Sequence, residues 1–208
     1  MKLALIRHGP TAWNADKRIQ GRTDVPLSEP GRQVVRGWQL PAEFAAYRVV
    51  ASPLRRARET AALLGLTPET VEPALAERSW GVWEGERLPE LRERYGSDMK
   101  RWEGRGLDFR PPDGESPRDL QQRLAPLLAR LAADGRDTLA VTHRGVIRSV
   151  YALATGWDMT DTAPDALHDG CVQLFALAGD GTPTVQALNR PLARTDAADA
   201  ADATKEAR

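Results

Sequence analysis

The sequence predicts an α/β protein: a three-layer α/β/α sandwich around a mostly parallel sheet, with a small inserted lid region. Three observations lead there. Short apolar runs alternate with helix-patterned segments along the chain. Two of those runs are each followed within two residues by a histidine and a glycine-containing turn, and one long stretch rich in glycine and tryptophan interrupts the alternation.

With 208 residues the chain suffices for one domain burying roughly 70% of its unfolded surface. The expected division is a folded domain over residues 1–192 and a disordered Ala/Asp-rich tail over 193–208, which has no aromatic residue and no apolar periodicity. Leu3 to Ile6 is an uninterrupted apolar run and reads as a buried strand. Ser28 to Leu40 reads as a helix and Arg48 to Ala51 as a second strand. Ser52 then suits an N-cap and Pro53 the first helical position, where its missing N–H costs nothing, so a helix is expected from Pro53. Glu77 to Pro112, with Trp80, Trp83 and Trp102 among Gly81, Gly85, Gly104 and Gly106, is the expected lid.

Beyond the lid, Leu120, Leu124, Leu127, Leu128 and Leu131 fall at the i, i+4, i+7, i+8 and i+11 spacing of a helix lying on a core. Pro126 interrupts that stripe. An interior proline costs about 3 kcal/mol, so a bend or two shorter helices are expected there. Thr138 to Thr142 is a strand, Val146 to Leu153 a helix, and Val172 to Leu177 and Thr184 to Leu188 are closing strands.

Charge narrows the function classes. Acids and bases number 29 each, so no overall field would draw the chain to nucleic acid or to a membrane surface. Any anion selectivity must be local. Cys171 is the single cysteine, which excludes an internal disulfide and points to a reducing, cytoplasmic setting. The apolar stretch at the N-terminus is too short for a signal peptide, and no run reaches the roughly 18 apolar residues of a membrane span.

The chemistry-bearing residues gather at strand ends. His8 follows the first strand and His143 the strand Thr138 to Thr142, while Arg7 stands beside His8 and Arg56 lies in the helix after the strand Arg48 to Ala51. Ligands of open α/β sheets bind beyond the carboxyl ends of the strands, so these side chains converge if their strands are neighbours. Guanidinium forks bind phosphate oxygens bidentately. A lone histidine at a strand end usually caps or packs, and a lone helical arginine is usually solvated; repetition of the pattern shifts the reading toward a phosphate pocket. A metal site is a poor alternative, because His8, His143 and His168 lack the i, i+4 spacing of a helical zinc motif.

Four motifs carry a resemblance. Arg7-His8-Gly9-Pro10-Thr11-Ala12-Trp13-Asn14 resembles the signature of the histidine phosphatase superfamily, the phosphoglycerate mutase-like fold. Ser52-Pro53-Leu54-Arg55-Arg56-Ala57-Arg58-Glu59-Thr60 resembles its second arginine motif, Ala76-Glu77-Arg78 with Gly81-Val82-Trp83-Glu84-Gly85 its acid segment, and Val141-Thr142-His143 its second histidine. Gly114-Glu115-Ser116 also recurs in many members. The resemblance implies that His8 is the nucleophile, that Arg7, Arg56 and His143 hold the phosphoryl oxygens, that Asn14 adds a neutral donor, and that Glu77 is the general acid, with Glu84 a lesser candidate that orients the loop. It implies no metal and no other cofactor.

Two positions depart from the family pattern: Pro10 stands where many members have glutamate or glutamine, and Arg144 where glycine is usual. Arg144 is read either as a rim cation favouring a substrate with a second anionic group or as a solvent-facing side chain. Gln20, Gly21 and Arg22 are expected on the leaving-group side, with Trp80, Trp83 and residues 95–112 forming the opposite wall. His168 and Cys171 read as packing or rim residues. The expected partner is a small phosphorylated metabolite, with homodimerisation left open. Three functions are carried forward: a phosphomonoesterase, a phosphoglycerate mutase, and a phosphate-binding regulator without turnover.

Overall fold

A computed structural model describes residues 1–194 of the chain. Its elements are β1 (Lys2–Arg7), α1 (Ala12–Ala15), α2 (Glu29–Arg36), β2 (Trp38–Gln39), β3 (Arg48–Ala51), α3 (Arg55–Leu63), β4 (Thr70–Val71), α4 (Leu88–Tyr95), α5 (Ser97–Glu103), α6 (Pro117–Asp134), β5 (Thr138–Thr142), α7 (Arg144–Thr155), β6 (Cys171–Leu177), β7 (Pro183–Pro191) and β8 (Ala193–Arg194). Six strands form one sheet in the order β4-β3-β5-β1-β6-β7, and β2 pairs with β8 apart from it. The four strands from β4 to β1 run parallel; β6 is antiparallel to β1, and β7 is antiparallel to β6.

Strand periodicity divides the core into two layers. Leu3 and Leu5 of β1 face α6 and α7, packing with Leu120, Leu124, Val146 and Val150. Ala4 and Ile6, pointing the other way, pack with Phe44, Leu139 and Val172, while Val141 of β5 meets Ala57 and Ala61 of α3. The expected three-layer sandwich results. The lid has its own small core, in which Trp83, Leu91, Met99 and Phe109 are buried with Tyr95 and Trp102 against them.

Several boundaries differ from expectation. The helix from Ser28 stops at Arg36, capped by Gly37, and Trp38 and Gln39 leave it to pair with Ala193 and Arg194. That strand claims the first two residues of the expected tail, and residues 195–208 lie outside the described part. The third helix begins at Arg55, with Leu54 as its N-cap, because the Ser52 hydroxyl is engaged by His143 as well as by the Leu54 N–H. The strand expected over Thr184 to Leu188 extends from Pro183 to Pro191.

Helix α6 runs unbroken through Pro126 instead of dividing there. Its start is secured by a Ser116/Asp119 capping box, and leucines on both sides of the proline are buried, so packing outweighs one lost hydrogen bond. Pro126 itself is exposed. Pro126→Ala is therefore expected to stabilise the fold by about 1–3 kcal/mol, restoring an N–H donor without disturbing the core, less whatever proline gains by restricting the unfolded chain. Urea unfolding checks this: the midpoint should rise with the slope unchanged.

Candidate active site

Register across β1 and β5 builds the centre of the site. Arg7 pairs with Thr142, so the next residue on each strand, His8 and His143, emerges side by side, and the His8 N–H donates to the Thr142 carbonyl at 2.9 Å. Their ring centroids stand 5.2 Å apart. On the other side of β5, Ala51 pairs with Val141, which places Ser52 beside Thr142 with its hydroxyl in reach of the His143 ring and delivers Arg56 from the first turn of α3. The two rings and the Arg56 side chain are buried.

The His8 ring is fixed through Nδ1, which lies 2.7 Å from the Gly9 carbonyl. A carbonyl only accepts, so Nδ1 carries the proton and Nε2 keeps its lone pair. Burial, followed by the Arg7 and Arg56 charges, holds this imidazole well below its ordinary pKa of 6.5, in the neutral form. Gly9 has no room for a side chain, since a Cβ would collide with Val35; its N–H donates to Thr60 Oγ1 at 2.9 Å, and the Thr60 hydroxyl in turn donates to the Arg56 carbonyl at 2.7 Å. The histidine turn and the arginine helix are thereby tied together.

His143 Nε2 is 2.6 Å from Ser52 Oγ, and its Nδ1 is buried without a partner among the described residues. Burial lowers the pKa of His143 as well, with His8 and Arg56 next in importance. Arg56 donates to the carbonyls of Thr23 at 2.9 Å and Gly21 at 2.7 Å, leaving a buried Nε without a partner among the described residues. Arg7 pairs with Asp169, and its Nε is likewise buried and, among the described residues, unpartnered. Three donor-bearing groups thus end around His8 with capacity unspent. Buried polar groups are seldom left so, and the arrangement suits a multidentate anion.

Glu77 approaches from the lid side. Its Oε1 accepts from the Arg78 N–H at 2.8 Å and its Oε2 from the Gly145 N–H at 3.1 Å. The segment bearing it is latched by Arg123, which donates to the carbonyls of Ala74 at 2.7 Å and Ala76 at 3.1 Å and pairs with Glu115. This explains the Gly114-Glu115-Ser116 motif, whose glutamate also accepts from the Ser79 N–H. Glu84 ties the loop together: it accepts from the Thr23 hydroxyl and from the N–H groups of Arg22, Thr23 and Trp80, and against burial, which raises it, these bonds keep its carboxyl below the ordinary range.

Arg7, His8, Asn14, Gln20, Gly21, Arg56, Glu77 and Arg144 all line one cavity of about 750 Å³. Asn14 spends its carbonyl on the Thr11 N–H and hydroxyl, so its amide donors remain available. Gly21, at φ +51°, holds Arg56 through its carbonyl and has no space for a Cβ beside Glu84. Arg22 departs from expectation: its guanidinium is bound to Glu115 at 2.6 Å and does not line the cavity. Trp83 is also not in the wall but in the lid core, and Trp80, Lys100 and Phe109 line the wall. His168 is exposed and does not line the cavity.

Asp169 escaped the sequence reading. It bridges Arg7 and Arg144, the latter at 2.7 Å, so Arg144 does not point freely to solvent. The signal was positional: Ile6 pairs with Val172 of antiparallel β6, which brings the residues just before β6 alongside Arg7.

The neutral histidines make a pH prediction. Below about pH 6.5 the unfolded chain gains protons at His8 and His143 that the folded chain refuses, so their contribution to stability is complete above that pH and falls below it, by up to about 1.4 kcal/mol per pH unit for each. Unfolding free energy measured in urea from about pH 7 to 5.5 should decline, and His8→Gln with His143→Gln should flatten the decline. A wild-type profile level over that range contradicts the buried neutral pair.

Residues 3–191 match the family model of the histidine phosphatase superfamily (branch 1). The chain is similar to a glucosyl-3-phosphoglycerate phosphatase from Mycolicibacterium vanbaalenii, 32% identical over 88% of each chain. It is also similar to a 2,3-bisphosphoglycerate-dependent phosphoglycerate mutase from Gloeobacter violaceus, 32% identical over 71% of this chain and 73% of the mutase. Among solved structures, a mycobacterial glucosyl-3-phosphoglycerate phosphatase complexed with VO3 superposes with a TM-score of 0.75 at 25% identity, over 91% of this chain and 99% of the other. The chain belongs to the histidine phosphatase superfamily.

Proposed function

We propose that the protein is a metal-independent phosphatase hydrolysing a small-molecule phosphomonoester through a phosphohistidine at His8. One observation carries this reading: a buried, neutral imidazole whose Nδ1 is committed to the Gly9 carbonyl stands among buried donors of Arg7, Arg56 and His143 that lack partners among the described residues. A nucleophile needs a free lone pair, and the dispersed charge of a loosening phosphoryl group needs fixed donors.

The Nε2 lone pair forms a bond to phosphorus as the ester P–O bond breaks, and the Glu77 carboxyl gives its proton to the departing oxygen. Water then attacks the phosphohistidine, the P–N bond breaks, and the Glu77 carboxylate takes the water's proton. Arg7, Arg56 and the His143 Nδ1–H, fixed as a donor when the Ser52 hydroxyl donates to Nε2, hold the three equatorial oxygens. Arg7 and Arg56 supply the positive charge that a metal provides elsewhere.

The mutase relative supports a second reading, in which the phosphoryl group returns to bound product instead of water. Rapid mixing with radiolabelled para-nitrophenyl phosphate separates these. The phosphatase reading predicts a burst of nitrophenol, label stable to base but lost in acid, and decay to inorganic phosphate; His8→Ala should lose the burst and at least about 10³-fold in kcat. Transfer of label to added 3-phosphoglycerate faster than to water favours the mutase, and no label in wild type contradicts both.

Gly145 offers a separate check on Glu77. A Cβ there would collide with the Glu77 carboxylate. Gly145→Ala should therefore lower kcat by about 10- to 100-fold with little change in KM, since misplacing a catalytic group by about 1 Å costs that much; an unaltered kcat removes Glu77 from the proposed role.

A further inference from the structure

Asp169 neither gives nor takes a proton in the proposed reaction, yet the Arg7 guanidinium has no other hydrogen-bond partner among the described residues. Its Oδ2 accepts from Arg7 Nη1 and, at 2.7 Å, from Arg144 Nη2. A guanidinium is planar, with its N–H bonds set in fixed forks. Occupying Nη1 leaves the fork of Nε and Nη2, which makes no hydrogen bond to the described residues and whose Nε is buried. A phosphoryl group fits such a fork bidentately.

An exposed ion pair is ordinarily worth little, because two mobile side chains must be ordered to form it. This pair stands on supports that are already ordered. The Arg7 side chain is only 16% exposed. The segment bearing Asp169 is pinned on both sides: the His168 N–H donates to Asn189 Oδ1 at 2.7 Å, and the Leu192 N–H donates to the Gly170 carbonyl at 2.9 Å. Asn189 also donates to the Ala166 carbonyl at 2.6 Å. Buried Gln173 donates to the His168 carbonyl at 3.3 Å and to Asn189 Oδ1 at 3.0 Å, and its Oε1 accepts from the Asn189 N–H at 2.9 Å.

That clamp has a cost. Asn189 adopts left-handed backbone at φ +56°, and the register of β6 against β7 shifts between Val172 and Leu174. Such departures persist where the surrounding bonds hold them, and they concentrate beside functional sites. Neither Gln173 nor Asn189 lines the cavity; what they hold is the turn that carries Asp169. Burial lowers the Arg7 pKa, and Asp169 is the foremost of the charges acting on it, ahead of Arg144 and Glu77. Arg144 precedes Gly145, whose N–H holds Glu77, so one carboxylate also ties the end of β1 to the start of α7.

We propose that Asp169 is a positioning residue for phosphoryl transfer: it fixes Arg7 by Nη1 so that Nε and Nη2 face the phosphorus position. This rests on the phosphatase reading above and adds to it a residue that acts through another side chain.

A double-mutant cycle tests this, with para-nitrophenyl phosphate as substrate and urea midpoints to establish that each variant is folded. Asp169→Ala should lower kcat/KM by at least about tenfold in the wild-type background, and by less than about threefold where Arg7→Ala has already removed the group it positions. A residue that merely supports the fold would cost the same in both backgrounds. Asp169→Asn keeps an oxygen that accepts from Nη1 and should lose less than Asp169→Ala; it carries the same cycle if the alanine variant does not fold. A smaller loss in the wild-type background, a loss of about threefold or more beside Arg7→Ala, or an asparagine variant as impaired as the alanine one overturns the role. Any of these with wild-type turnover intact confines the failure to Asp169; absence of wild-type turnover overturns the phosphatase reading and the role of Asp169 with it.

Discussion

The site depends on the parallel pairing of β1 with β5 and of β5 with β3. Strand register is quantised, and a slip of one residue turns each side chain to the opposite face of the sheet. With Arg7 opposite Thr142, His8 and His143 emerge side by side at the carboxyl edge; with Ala51 opposite Val141, Ser52 stands one position short of them and reaches the His143 ring through its hydroxyl, followed closely by Arg56. The group is held from above by Thr60, which links Gly9 to the Arg56 carbonyl, and from below by two layers of buried aliphatic side chains. Apolar packing that has no chemistry of its own therefore sets the spacing on which any chemistry relies.

Electrostatics give the group its character. Burying two imidazoles beside two guanidiniums keeps both rings neutral, and fixing His8 Nδ1 on a carbonyl turns the lone pair of Nε2 toward the cavity. The same burial leaves Nε of Arg7, Nε of Arg56 and Nδ1 of His143 without partners among the described residues. On the proposed reading a phosphoryl group satisfies them, and more fully as its bonds to the apical atoms loosen. Asp169 is the counterweight: placed by the antiparallel β6, it shares its carboxylate between Arg7 and Arg144 at the mouth of the pocket.

Much of this was legible in the sequence because it is local. The apolar runs of β1 and β5 announced themselves, and the histidine following each run stood out against a chain with only three histidines. The order of the four motifs identified the family and, with it, the sandwich. What could not be read depends on contacts between distant segments. The Ser52 hydroxyl looked like a helix cap and is instead engaged by His143, moving the start of α3 to Arg55. Arg22 looked like a pocket residue until Glu115 took its guanidinium. Asp169 and the Arg123 latch carry no local signature, since each acquires meaning only from the strand or helix beside it. Pro126 misled for the converse reason: a local rule yielded to the leucine stripe that buries α6.

The central claim is that His8 Nε2 faces the phosphorus position with Arg7, Arg56 and His143 around it. A crystal structure of the enzyme with vanadate tests it most directly. Vanadium bonded axially to His8 Nε2, with its equatorial oxygens within hydrogen-bond distance of Arg7, Arg56 and His143, is the predicted result. Vanadate bound elsewhere, or held in the cavity with His8 outside its axial position, would contradict it.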